Sequence, residues 1–460
     1  MKNVDWKLGK ALLGGGLVLL LSCERAPEWE EDDRDPRLSG GAQTVFTEGV
    51  GAFSSAFPTL NGRRLALHEI GDLHFEASFV AAPAPRLGGL GPVYNSNSCF
   101  NCHVNDGRGR PILGNEPLGS MLVRVSVPGT DAHGGPLGAP GFGGQLQDKA
   151  VFGQVAEAKV EVNWLETPFY FPDGQAALLR TPTWSFAQPY LPLPSGWLAS
   201  IRVAPAVHGL GLLEGVAEAD ILLHADPDDR DGDGISGRAN YVWDVTTQAT
   251  RLGRFGWKAE APSLLQQVAG AYNEDMGLTS YVFPQESSLG QSQYPGAGSV
   301  EVPDSVLEAV VFYVQTLAVP ARRKVTDPLV RQGQVLFEEA GCARCHLPSM
   351  TTAVDVAFPE RSKQRIAPYT DLLLHDMGSG LADYRPAFLA GGTEWRTPPL
   401  WGIGLQPLVN GHSYFLHDGR ARNLMEAILW HGGEAERAAA RVRRMTAAER
   451  TALEAFLRSL

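Results

Sequence analysis

Cysteine is scarce: the 460-residue chain holds five, Cys23, Cys99, Cys102, Cys342 and Cys345. That excludes a disulfide-built scaffold. Basic charge is short as well. With 39 Lys and Arg against 51 Asp and Glu, the formal net charge is −12, so the positive footprint of a nucleic-acid binder is missing. Long hydrophobic runs are also lacking, and the ordinary globular composition, 44% hydrophobic and 20% charged, excludes a polytopic membrane protein and a disordered chain. What is plentiful is Gly (52) and Pro (32), which predict many turns and long irregular connections. The expected fold is mainly α, helical islands joined by loops, and the length suggests two or three domains at about 100–200 residues each.

The N-terminus reads as an export signal. Lys2, Lys7 and Lys10 precede the apolar run Ala11–Leu21, which is too short to span a bilayer. The run ends in Leu20-Leu21-Ser22-Cys23, which resembles a bacterial lipobox, with Cys23 as the acylated first residue of a mature chain of net charge −14. Residues 1–22 are thus expected to be a lipoprotein signal peptide. Residues 23–42, acidic and without apolar period, are expected to be a solvated linker. Glu24 after the cysteine is compatible with outer-membrane sorting, so the expected location is the periplasmic side of the bacterial cell envelope.

The remaining cysteines form two motifs, Cys99-Phe100-Asn101-Cys102-His103 and Cys342-Ala343-Arg344-Cys345-His346. Cys-x-x-Cys-His is the c-type haem attachment signature. Two thiols three positions apart can each bond one haem vinyl group, and the adjacent His is delivered to the iron. A zinc ribbon would need pairs about 15–20 residues apart, whereas these lie 240 apart. A thioredoxin-like motif would need an alternating strand and helix pattern around it, which neither pair has. Two covalent haems c are therefore expected, and no cysteine remains for a disulfide.

Helix signals frame the second motif. Asp327 caps a helix with Pro328 at its first position, and Thr446-Ala-Ala-Glu449 is a capping box opening a helix striped by Leu453, Phe456, Leu457 and Leu460. A similar helix is expected over Ser305–Val319, opened by Ser305-x-x-Glu308 and stopped by Pro320. These place an N-terminal haem domain with insertions at 43–320 and a C-terminal cytochrome c domain at 321–460. An internal echo supports duplication: Pro205–Leu212 matches Pro398–Leu405, and Ile221-Leu-Leu-His224 echoes Ile428-Leu-Trp-His431.

Leu424, Ala427, Ile428 and His431 fall on one helical face, so His431 points into the domain, either as a core residue or as a ligand. Asp229-Arg-Asp231-Gly-Asp233-Gly234 has the alternate carboxylates of a calcium loop, though Asn240 stands where an EF-hand needs a carboxylate. A non-EF calcium site and an acidic surface turn are both open readings.

Along nearly the whole body the sequence resembles the bacterial di-haem oxidoreductase family of peroxidase-like or thiol oxidoreductase-like proteins. The resemblance rests on Asp106-Gly-Arg-Gly109, Gly144-Gln145-Leu146, Gly209–Glu214, Asp231–Arg238, Arg254–Lys258, Leu374–Gly378, Trp395–Trp401 and His417–Ala421. More distantly it is similar to di-haem cytochrome c peroxidases. That likeness implies a C-terminal relay haem ligated by His346 and His431, with Met377 as rival, and a reactive N-terminal haem on His103. It also implies a peroxide cycle, for which Glu214 is the candidate proton shuttle with Gln145 and Arg202 as polar partners. For the far side of the N-terminal haem the sequence offers His68, His74, His133, His208 and His224, of which the echo favours His224, or an open position. The electron partner would be a small cytochrome or cupredoxin with a basic face. A non-catalytic electron-transfer cytochrome and a membrane-tethered redox sensor or binding module are the alternatives.

Overall fold

The computed structural model describes Met1 and residues 35–460 apart from Asn115, Pro295 and Ala297; the signal segment, Cys23 and the acidic stretch to Arg34 lie outside the described residues. No described helix is long and apolar enough to cross a membrane. Residues Pro36–Leu460 form one compact unit. Packing starts before the expected end of the linker at residue 42. Ser39 is buried and its carbonyl accepts from Ala367 N, and Thr44–Val45 pairs in parallel with Val319–Pro320.

Two helix pairs frame the unit, and they repeat each other. Helix Gly62–Glu76 crosses Asp304–Gln315, and helix Pro328–Ala340 crosses Ala447–Ser459. Each crossing is made at a glycine. A Cβ on Gly71 would lie 2.2 Å from Ala309 O, and one on Gly333 would lie 1.9 Å from Ala452 O, so only glycine lets the backbones meet. One turn further on, Phe75 packs 5.3 Å from the ring of Tyr313 and 6.2 Å from that of His103. Phe337 does the same with Phe456 at 5.2 Å and His346 at 6.4 Å. The histidines of the two Cys-x-x-Cys-His motifs are thus seated by equivalent helix pairs.

The sequence echo recurs in the packing. Gly209 N donates to Leu317 O at 3.0 Å and Gly402 N to Leu460 O at 3.1 Å. The two echoed segments face one another: a Cβ on Gly209 would meet the Trp401 ring at 2.5 Å, and one on Gly402 would meet His208 Nε2 at 2.7 Å. A third correspondence follows. Phe255 bridges Ala261 and Phe415 bridges Ala421. Two residues past each alanine, Ser263 and Asn423 cap helices Leu264–Met276 and Leu424–Leu429 by accepting from Gln266 N and Glu426 N. The counterpart of the His431 segment is therefore helix Leu264–Met276. The expected echo with His224 does not hold, because His224 follows the separate short helix Glu218–Leu222.

Between these frames the expectation of a mainly α chain needs correction. Among the described residues fifteen mostly short strands accompany eleven α-helices. Met121–Thr130 pairs antiparallel with Leu198–Val203, burying Met121, Val123 and Val125 on one face. Lys159–Tyr170 and Ala176–Ala187 form a long hairpin whose Phe171 packs into the core around Phe337 and Phe456. These segments alternate and are rich in Val, Thr and aromatics, a period-two signal that the Gly and Pro content obscured.

The caps at Asp327 and Thr446 form, the latter as a full capping box. Ser305–Val319 differs. The helix runs Asp304–Gln315 behind Pro303 without a side-chain cap, and Val319–Pro320 is a strand, because its backbone pairs with Thr44–Val45.

Candidate functional site

Both Cys-x-x-Cys-His segments open onto one cavity of about 1000 Å³, at the upper end of single-ligand pockets. Its lining includes Cys99, Cys102, His103, Cys342, Cys345 and His346. No two of the four cysteines form a disulfide. Burial pushes Cys102 and Cys342 up to about 12 and raises Cys99 and Cys345 as well.

The histidines are set up as neutral donors. Burial holds His103 and His346 at about 4. His346 Nδ1 lies 2.9 Å from Tyr369 O and His431 Nδ1 2.8 Å from Ala427 O. A carbonyl can only accept, so both Nδ1 atoms carry the proton and both Nε2 lone pairs are left for another group. His431 lines the cavity together with Leu424, Ala427 and Ile428, and it lies near enough to depress the basicity of His346. Met377 also lines the cavity but packs with Trp257, Leu381, Trp395 and Trp430. His375, which sequence reasoning passed over, contacts Cys345 Sγ at 3.7 Å. It is clasped by Asp371 at 2.7 Å and Glu434 at 2.6 Å, and these carboxylates raise its pKa well above the ordinary value against the cost of burial.

In the N-terminal half, the matching helix turns Leu264, Gln267, Val268 and Ala271 to the cavity. Counting from the caps, eight residues after Asn423 is His431 and eight after Ser263 is Ala271. One half therefore carries an imidazole where the other carries a methyl group. One turn past Ala271, Asp275 lines the same lobe and accepts from Gln145 Nε2 at 2.7 Å. Burial raises Asp275 to about 6. Gln145 Oε1 accepts from Arg124 at 3.0 Å, and Arg124 grips Glu274 through two hydrogen bonds.

Of the sequence candidates for proton handling, Gln145 and Arg202 line the cavity, and Glu214 does not. Its carboxylate accepts from Leu264 N at 2.8 Å and Gln315 Nε2 at 2.7 Å, and it pairs with Arg361 at 2.6 Å. It caps the helix that carries Ala271 and is fully engaged there. Of the histidines offered for the N-terminal lobe, His133 and His208 line the cavity, the first stacked on Trp243 at 4.0 Å and the second on Phe53 at 4.0 Å. His68 is turned to Thr316, and His68, His74 and His224 do not reach the cavity. The Asp-rich loop brings Asp226, Asp229 and Asp231 together, whereas Asp233 turns away to pair with Arg344 of the second motif and to accept from Ile235 N at 2.8 Å. The expected set Asp229, Asp231 and Asp233 is therefore not assembled.

Haem fits these residues: four cysteines, one buried and three half-buried, and two neutral imidazoles surround a mainly apolar cavity. Arg385, whose buried Nε and Nη1 have no hydrogen-bond partner among the described residues, stands on its wall. Two cytochrome c-type attachment segments on a shared cavity define a protein of the two-haem class. The chain belongs to the di-haem oxidoreductase family, whose model, described as "Di-haem oxidoreductase, putative peroxidase", matches residues 34–460. That family implies two haems.

Among solved structures, hydrazine synthase of Kuenenia stuttgartiensis is 15% identical over 98% of this chain and 100% of its own, with a TM-score of 0.36. A MauG-like protein associated with microbial copper homeostasis is 18% identical over 53% of this chain and 89% of its own, with a TM-score of 0.28. At these scores neither likeness carries an argument. No curated protein matches the chain.

Proposed function

We propose that the protein is an exported, Cys23-anchored di-haem c-type oxidoreductase with peroxidase-like activity. Its N-terminal haem is open and reactive, and its C-terminal haem is a closed electron relay. The observation that carries this reading is the pairing of Ala271 with His431 at equivalent positions of the two halves. Cys99 and Cys102 with His103 would hold one haem, and Cys342 and Cys345 with His346 and His431 would hold the other. The first haem would supply the redox chemistry, passing two electrons into the O–O bond of a hydroperoxide and so breaking it.

The chain's own residues do the rest. Asp275, poised near neutrality, takes the proton from one oxygen of the hydroperoxide and returns it to the other, which leaves as water or an alcohol. Gln145 orients the carboxylate, and the Arg124–Glu274 pair fixes Gln145. His431, with its Nδ1 tied to the Ala427 carbonyl, would leave the second haem no exchangeable position, which would suit it to pass electrons from a small cytochrome or cupredoxin with a basic face. Hydrogen peroxide added to half-reduced holo-protein should change the spectrum of one haem directly and oxidise the other. If both stay inert in both redox states, the enzyme reading fails. A spectrum left unchanged by His431→Ala would refute the relay ligand.

A further inference from the structure

Arg385 is the largest fully buried side chain among the described residues, at 1% exposure, and it is under-used. It reaches from the C-terminal half under strand Met121–Thr130, where its Nη2 donates to Val125 O at 3.2 Å. Its Nε and Nη1 have no hydrogen-bond partner among the described residues, and the nearest carboxylate oxygen, on Glu260, stands 3.9 Å from Nη1. Beside it Arg202, 5% exposed, spends one nitrogen on Glu260 and Nε on Ser200 Oγ, and its Nη2 forms an ion pair with Asp383 Oδ2 at 3.7 Å. Both guanidinium groups line the cavity in its N-terminal lobe.

The anions around them are shared: Arg124, Arg202 and Arg385 all bear on Glu260, and Arg385 and Lys258 both bear on Asp383. Lys258 Nζ consumes Asp383 Oδ1 at 2.8 Å, and Arg124 consumes Glu274. Glu260 is held at about 2 because Arg202, Arg124 and Arg385 together outweigh its burial. Burial, with Arg202 and Arg124 adding repulsion, brings Arg385 down to about 9. A buried cation with two idle donors is costly unless an anion completes it. The position is also built to be kept. Arg385 N donates to Asp383 Oδ1 at 2.9 Å and its carbonyl accepts from Lys258 Nζ at 2.9 Å, which fixes the backbone that aims the side chain.

We propose that Arg385, with Arg202 beside it, forms a site for a carboxylate in the N-terminal lobe of the cavity, gripped through the idle Nε and Nη1 of Arg385. The planar fork of arginine suits that chemistry. Two sources supply it: a propionate of the N-terminal haem, or a free carboxylate that enters beside it. The inference rests on the haem binding proposed above, so haem content and spin state are recorded first on the same samples; a preparation without two haems c counts against that reading and not against this one.

The test compares wild-type holo-protein with Arg385→Leu and Arg385→Lys. Midpoint potentials are measured by spectroelectrochemistry, and sodium formate is titrated against the absorption of the open haem. If a propionate occupies the site, Arg385→Leu lowers the N-terminal potential, leaves the C-terminal one in place and does not alter formate binding, while Arg385→Lys lies between. If the carboxylate is free, formate perturbs the wild-type open haem, and its apparent affinity falls at least tenfold in Arg385→Leu with the potential unmoved. Should Arg385→Leu not assemble, Arg385→Lys and Arg202→Lys carry the same comparison. An unchanged N-terminal potential together with unchanged formate affinity overturns the proposal.

Discussion

Ala271→His should close the N-terminal haem. The substitution places an imidazole at the counterpart of His431, on a helix whose cap geometry matches that of its partner and whose face already borders the cavity. At position 431 the ring is steadied by its Nδ1 bond to the carbonyl four residues earlier. A comparable bond to the Gln267 carbonyl would contribute about 1 kcal/mol. The ring enters a cavity, so the overpacking cost of roughly 1–3 kcal/mol for a filled core is largely avoided. Each 1.4 kcal/mol or so by which the ligated state is favoured lowers the open fraction, and with it the apparent peroxide rate, about tenfold. Net ligation of only ~3 kcal/mol therefore predicts a loss of about two orders of magnitude. Stopped-flow absorption after peroxide addition measures the rate, and EPR of the oxidised protein shows whether the high-spin signal has been replaced by a second low-spin one. A variant that retains its high-spin signal and its peroxide rate would refute the equivalence of positions 271 and 431.

Other outcomes follow from the same geometry. Asp275 has a pKa raised by burial to about 6, so if it works as a base the wild-type rate rises with pH through about 6 and levels above it. Asp275→Asn removes the pH step together with a factor of roughly 10²–10⁴ in rate, and a variant with the wild-type profile would exclude Asp275. Glu214→Gln weakens the charged bonds to Arg361 and to the start of helix Leu264–Met276, costing roughly 1–3 kcal/mol. The melting temperature should fall while the peroxide rate per folded molecule holds, and the opposite pattern would restore Glu214 as the proton shuttle. In Gly333→Ala the new methyl would stand 1.9 Å from Ala452 O, backbone that cannot yield without parting the helices, so chemical denaturation should register a loss of about 1–3 kcal/mol or more. An unaltered midpoint would mean that the crossing is looser than its geometry.

Much of the site could be read from the sequence because its chemistry is local. Cys-x-x-Cys-His carries its meaning in five residues, the caps at Asp327 and Thr446 in four, and the stripe Leu424, Ala427, Ile428, His431 in two turns. The parts that escaped are those where the information is long-range or negative. Glu214 read as a candidate proton shuttle because its partners, Leu264, Gln315 and Arg361, are distant in sequence. Asp275 shows its burial only once its helix is laid against the cavity. Ala271 is the hardest case, since a missing ligand has no motif. The signal was present all the same. Phe255 to Ala261 to Ser263-Leu264 has the spacing of Phe415 to Ala421 to Asn423-Leu424, a repeat that the Ile221–His224 echo hid. The long hairpin Lys159–Tyr170 and Ala176–Ala187 was missed for another reason: composition averaged over the chain favoured loops, and the alternation lies within single segments.

The central claim is one open and one closed haem in a single chain. EPR spectroscopy of the fully oxidised holo-protein tests it most directly. The account predicts one high-spin and one low-spin ferric haem in equal amounts, with only the high-spin component responding to peroxide. Two low-spin haems, unreactive even after half reduction, would contradict it.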